Sequence, residues 1–226
     1  MPVTDAATAQ RIRDWFAAHQ EPVDLGRQLE IVARDHPGLP NLTLLVMAND
    51  AGSAERATQM VESGIPFDSC LVFVGSYARI GWMLDMADFG HTSRAHVLDL
   101  LPRYWPGADP DDTDPRMLVA WMDAWVTNGH KAVTDGEPLP GVGRNVEVYR
   151  GQGRTDPIGI AWTTDYRIAQ KFANGASIRI PGGISDPVVL RSRVARRQVL
   201  GYLTGRGESE VVIDPATLGR VEPVDG

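Results

Sequence analysis

The stretch TDGEPLPGVG at residues 134–143 constrains the fold of this chain more than any other feature, because five of its ten residues are Gly or Pro. Pro removes a backbone donor and Gly costs chain entropy, so neither a helix nor a central strand runs through it. The apolar pattern changes across it. Upstream, apolar residues recur at helical spacing; downstream come short β-prone runs. This predicts an α+β protein with a mostly helical region over residues 1–140 and a β-rich region over residues 141–226. A chain of 226 residues can bury a core of one large or two small domains.

In the upstream region, residues 4–18 read as a helix capped by Thr4, with Ile12, Trp15 and Phe16 on one face and a break at Pro22. Residues 24–35 read as a second helix ended by PGLP, and residues 53–63 as a third that opens at Ser53 and stops at Gly64 and Pro66. The apolar runs 42–47 and 71–74 fit a buried strand and a helix turn equally well. From 77 to 104, Ile80, Leu84, Val97 and Leu101 indicate two helical pieces about Gly90. The acidic run ADPDDTDP, 108–115, fails as a calcium loop, since Asp114 stands where a turn glycine belongs and Ala120 where a closing Glu belongs. It reads instead as a loop in which Asp114 caps, and Pro115 opens, a helix over 115–126 whose Met117, Leu118, Trp121, Met122 and Trp125 face a core. Downstream, strands are expected at 146–149, 158–163, 177–180, 188–194, 199–203 and 210–213, with one helix at 165–173.

Composition excludes several classes. No apolar run approaches the roughly eighteen residues a bilayer span needs, and the N-terminus lacks the basic start and apolar stretch of a signal peptide. Cys70 is the single cysteine; it can form no internal disulfide and reads as a buried small hydrophobe, which fits a reducing cytoplasm. A net charge of -7 argues against a protein that binds nucleic acid by phosphate neutralisation alone. The charge is uneven: residues 141–226 carry twelve basic and nine acidic side chains, and residues 1–140 ten basic and twenty acidic. Walker, dinucleotide-fingerprint, nucleophile-elbow and HExxH motifs are absent. His91 and His96, five apart on a helix, point away from each other, and no metal is expected.

The chemistry-bearing residues that remain lie in order along the β-rich region: Arg150 in VEVYRG, Trp162, Thr163 and Thr164 in IAWTTD, and Glu208 and Glu210 in GESEVVID. Together they offer a cation, a hydroxyl-bearing strand and two carboxylates. Residues two apart on a strand share a face about 6.5 to 7 Å apart, which would let Glu208 and Glu210 act on different atoms of one reacting assembly.

In this order and spacing, over roughly residues 145–215, the chain resembles the arginine, serine-threonine-serine, glutamate class of mono-ADP-ribosyltransferases of bacterial or phage type. VYRG, WTTDYRIAQKFA and the E-x-E ahead of an apolar strand carry the resemblance. It implies a split β-sandwich that binds NAD, as co-substrate, in a cleft between two sheets. Arg150, with Gly151 beside it, would hold the dinucleotide phosphates and adjoining ribose; Thr163 and Thr164 would shape the cleft and help position the catalytic carboxylate. Glu210 would accept from the nicotinamide-ribose 2'-hydroxyl and stabilise the cation formed as nicotinamide leaves, and Glu208 would orient or deprotonate the acceptor. Phe172 and Arg179 would border the nicotinamide and phosphates. Trp162 stands where the family places the first small hydroxyl, and Gly205 stands where several toxins have an aromatic.

E-x-E in the family points to arginine side chains as acceptors; an intracellular protein or nucleic acid is the expected acceptor class, in the cytoplasm of the producing cell or of a target cell. The acidic helical region would cover the cleft, recognise the target, or bind an inhibitor or immunity partner. Two other readings stand beside this one: a catalytically degenerate nucleotide- or protein-binding module of the same fold, and an unrelated β module on which these residues are rim charges.

Overall fold

The computed structural model describes residues 5–20, 24–35, 37, 41–140, 143–175 and 184–224, and divides into two compact units, Met1–Val97 with Ala108–Pro110, and Leu98–Gly107 with Asp111–Gly226. The first unit is helical: α1 (Ala6–Ala18), α2 (Leu25–Asp35), α3 (Asn41–Glu62), α4 (Phe67–Cys70), a 3-10 turn Leu71–Phe73, α5 (Arg79–Asp88) and the start of α6 (Arg94–Tyr104). Thr4 lies outside the described residues, and Asp5 caps α1 by accepting from the Thr8 amide at 2.8 Å. The runs 42–47 and 53–63, read separately from sequence, belong to one helix of 22 residues. Polar Asp50 is tolerated inside it because its buried carboxylate accepts from the Tyr77 amide at 2.9 Å, and Ser53, expected as a cap, instead accepts from the Gly75 amide at 2.9 Å. Cys70 is fully buried, and burial pushes its thiol up to about 12.

The second unit contains the rest of α6, a 3-10 turn Trp105–Gly107, α7 (Pro115–Thr127), α8 (Tyr166–Ala173) and the strands β1 (Val133–Thr134), β2 (Asn145–Gly153), β3 (Ala161–Thr163), β4 (Pro187–Ala195), β5 (Val199–Leu203), β6 (Glu210–Ile213) and β7 (Glu222–Pro223). Asp114 caps α7 and Asp165 caps α8, each accepting an amide at 2.8 Å two residues on. The strands form one mixed sheet of order β1-β5-β6-β3-β2-β4-β7. β1 runs parallel to β5, while every other pairing is antiparallel. Where the resemblance implied two sheets, the strands are continuous. The continuity is narrow, however: β2 pairs with β4 along its whole length but with β3 through the single pair Tyr149↔Thr163. The strand expected at 177–180 lies outside the described residues. β1 and β7, two residues each, were too short to leave a pattern.

The division between units falls at 97/98 rather than at the Gly/Pro stretch before residue 141. The physical reason is the apolar face of α7. Trp121, fully buried, sits against β5 at Gly201, where a Cβ would come within 2.6 Å of the indole. Covering one sheet face in this way makes α7 part of the β unit. The core on that unit gathers Val146, Val148, Trp162, Val194, Val199, Tyr202, Val211 and Ile213, and α8 adds Ala169 and Ala173 against Val189.

Candidate active site

β2 and β3 share one residue pair and then part, because the chain between them turns through Arg154–Gly159 and β3 is only three residues long. At that parting lies a pocket of about 180 Å3 lined by Tyr149, Arg150, Gly151, Ala161, Trp162, Thr163, Phe172, Glu208 and Glu210. Seven of the residues singled out from the sequence therefore meet in one place: Arg150, Gly151, Trp162, Thr163, Phe172, Glu208 and Glu210. Thr164 is not among the lining residues; its amide donates to the Ser209 carbonyl at 3.1 Å. Arg179 lies outside the described residues.

Arg150 is held on three sides. Its Nε donates to Gln152 Oε1 at 2.7 Å, and its Nη1 donates to the Ala161 carbonyl at 2.6 Å and to Asp112 Oδ2 at 2.6 Å. Nη2 reaches Asp112 Oδ1 at 3.3 Å, which completes a forked pair. Asp112 Oδ2 also accepts from the Ala161 amide at 3.0 Å, so one carboxylate ties the cation of β2 to the backbone of β3. The pair is largely buried, with side-chain exposures of 15% and 18%. Sequence reading missed Asp112. It lies in the acidic loop 108–115, and neither its spacing nor its neighbours separate it from Asp111, which closes a local turn onto Thr113. The bareness of Gly159 is a signal visible only afterwards: a Cβ there would stand 2.2 Å from Asp112 Oδ2.

Glu210 opens β6 opposite Thr163. Its Oε1 accepts a 2.7 Å hydrogen bond from the Trp105 indole N–H. Burial raises its pKa to about 7; the indole bond pulls the other way, while the charges of Glu208 and Asp112 push further up and Arg206 pulls down. Glu208 and Glu210 do not share a strand face as expected. β6 begins only at Glu210, and Ser209 takes a left-handed conformation, φ 47, which reorients the chain between them. Both still line the pocket, and Glu208 pairs with Arg206 at 3.4 Å.

The hydroxyl of Thr163 does not reach the Glu210 carboxylate. It donates to the Glu208 carbonyl at 2.6 Å and accepts from the Asp165 amide at 3.1 Å, pinning the loop ahead of β6 and the start of α8. Trp162 is 2% exposed in the sheet core and donates its indole N–H to the Gly159 carbonyl at 3.2 Å, so the bulky residue is accommodated by packing. Gly151 lets α8 close on β2: a Cβ would stand 1.9 Å from the Ala169 carbonyl oxygen.

Chemically, the pocket combines a fixed guanidinium, an acceptor carboxylate that titrates near neutrality, a second carboxylate and aromatic walls. With Arg150 already countered by Asp112, the carboxylates of such a set suit a reacting centre that becomes cationic. Comparison of the chain with protein-family models, with curated proteins and with solved structures finds no match. No helix among the described residues is long and apolar enough to cross a membrane.

Proposed function

We propose that this protein is a mono-ADP-ribosyltransferase that transfers ADP-ribose from NAD to a nucleophilic acceptor, arginine side chains being the first to test, and releases nicotinamide. One observation carries the reading: Arg150 and Glu210, some sixty residues apart in sequence, line the same pocket at the parting of β2 and β3. The near-separation of the sheet there supports a split sandwich with a dinucleotide cleft.

In this reading the C1'–N glycosidic bond of the nicotinamide ribose breaks, and nicotinamide leaves with the bonding electron pair as a neutral base. Ionised Glu210 faces the oxocarbenium-like sugar and its 2'-hydroxyl. The acceptor then forms the new bond to C1' and gives up its proton to Glu208 or water. Arg150 would meet the phosphates through the Nη2 hydrogen that Asp112 leaves, its other donors being engaged by Gln152, Ala161 and Asp112, and Phe172 and Tyr149, which line the pocket, would wall the ring site. Glu210 must be ionised to act, so turnover rises through about pH 7 as its proton leaves. Work in the cytoplasm of the producing cell or of a target cell, on an intracellular protein or nucleic-acid acceptor, belongs to the same proposal.

The test is nicotinamide release from labelled NAD with and without arginine-containing acceptors. Glu210→Gln is expected to lower turnover by about 10² to 10⁴-fold; a variant with near-parental turnover removes the carboxylate from the mechanism. The forked Asp112–Arg150 pair favours a second reading, a binding module whose arginine is structural and which holds a nucleotide without turnover. Calorimetric NAD binding with no nicotinamide release under any acceptor would select it.

A further inference from the structure

The Glu210 carboxylate accepts no hydroxyl proton from Thr163, whose hydroxyl is engaged elsewhere. Among the described residues its donor is the indole N–H of Trp105, at 2.7 Å. We infer that Trp105 is the positioning residue of the candidate site, holding the Glu210 carboxylate in its reactive orientation through one N–H···O bond. The inference rests on the transferase reading and names a residue that no motif in the sequence marked.

The bond is braced from behind. Pro102, near the end of α6, and Pro106, next in the 3-10 turn, stiffen the chain on either side of Trp105, which is 3% exposed. It meets the Trp121 ring edge-to-face, with centroids 5.3 Å apart and planes at 82°. Trp121 in turn rests on β5 at Gly201, and β5 pairs with β6 so that Leu203 stands opposite Glu210. Gly201, Trp121, Trp105 and Glu210 thus form a closed chain of contacts over adjacent strands. A neutral, rigid donor suits the task. It fixes the carboxylate and favours its ionised form without placing a cation beside the developing positive charge on the sugar. The charged groups that act on Glu210 are Glu208 and Arg206 from the loop before β6 and Asp112 from the loop before α7.

The test replaces Trp105 with 3-benzothienylalanine, which keeps the ring shape and puts sulfur where the N–H stood; Trp105→Phe serves as a second variant. Two readouts are taken: the pH profile of nicotinamide release, and the carboxyl infrared band of Glu210, assigned by its loss in Glu210→Gln. Loss of the donor is expected to raise the carboxyl titration by about one pH unit, to cut kcat by about tenfold or more at pH 6, and to leave kcat lowered even at high pH because the ionised carboxylate is no longer held, with KM for NAD little changed. An unmoved carboxyl titration overturns the inference whether or not the parent protein turns over NAD. A shifted titration with no nicotinamide release from the parent overturns the catalytic role and the transferase reading together. A uniform loss across all pH, with a raised KM, assigns Trp105 to packing and equally overturns it.

Discussion

At the residue scale, Glu210 stands between an environment that resists its charge and an indole that supports it. The folded protein keeps its proton up to about pH 7, whereas the ordinary value is 4.5, so ionisation opposes folding at pH 8 and has no effect at pH 4. Glutamine can still accept from Trp105 and carries no charge. Glu210→Gln is therefore expected to raise stability by roughly 3 kcal/mol at pH 8, with the gain vanishing near pH 4, as read from thermal melts at both pH values. The variant that loses turnover would be the more stable one, a trade that marks a strained functional carboxylate. Arg150 and Asp112 show the complementary logic: two opposite charges share a largely buried place, and each is satisfied by the other and by backbone. Arg150 stood out in the sequence because it ends a β-prone run, while Asp112 was one of several aspartates in a polar loop with nothing local to single it out.

At the element scale, the site depends on how closely α8 and α7 approach the sheet. Gly151 decides the first approach, since a methyl there would meet the backbone of α8 at Ala169 and Ala173, which cannot turn aside as a side chain can. Gly151→Ala is expected to cost about 3 kcal/mol, measured by denaturant midpoint, whereas Gly219→Ala, where a Cβ meets nothing within 4 Å, is expected to be nearly neutral. Equal midpoints for the two variants would mean that α8 shifts freely. The elements themselves were largely legible. α7 announces its start by the Asp114 cap and part of its buried face by Met117 and Trp121, although Met122, expected on that face, is exposed; α8 was visible as a helix, and β5 and β6 are plain apolar runs. α3 was misdivided because Asn49, Asp50 and Gly52 imitate a break, and the partners that satisfy Asp50 and Ser53 come from the residue 75–77 segment, beyond the reach of any local pattern.

At the scale of the whole molecule, the two units divide at Val97 and Leu98, which leaves the candidate site's supports and the sheet in one unit. A chain beginning at residue 141 would lack Trp105, Asp112 and Trp121. It would leave Glu210 without its donor, Arg150 without its counterion and the Gly201 face of β5 uncovered. A chain of residues 98–226 is expected to unfold cooperatively, and one of residues 141–226 to show no cooperative transition, by calorimetry or urea titration. A sharp transition in the shorter chain would restore the Gly/Pro stretch as the boundary.

Local chemistry was enough to set the α+β class, the Asp114 cap of α7, the longer strands β2 to β6 in their order along the chain and the residue types at the site. These follow from periodicities of a few residues and from the backbone preferences of Gly, Pro and Asp. Only the tertiary structure decided which strands are neighbours, that β2 and β3 part after a single pair, and that Trp105 and Asp112 come to serve Glu210 and Arg150 across 105 and 38 positions. Contacts at such separations arise from packing the whole unit. A short window of sequence holds only one partner of each pair.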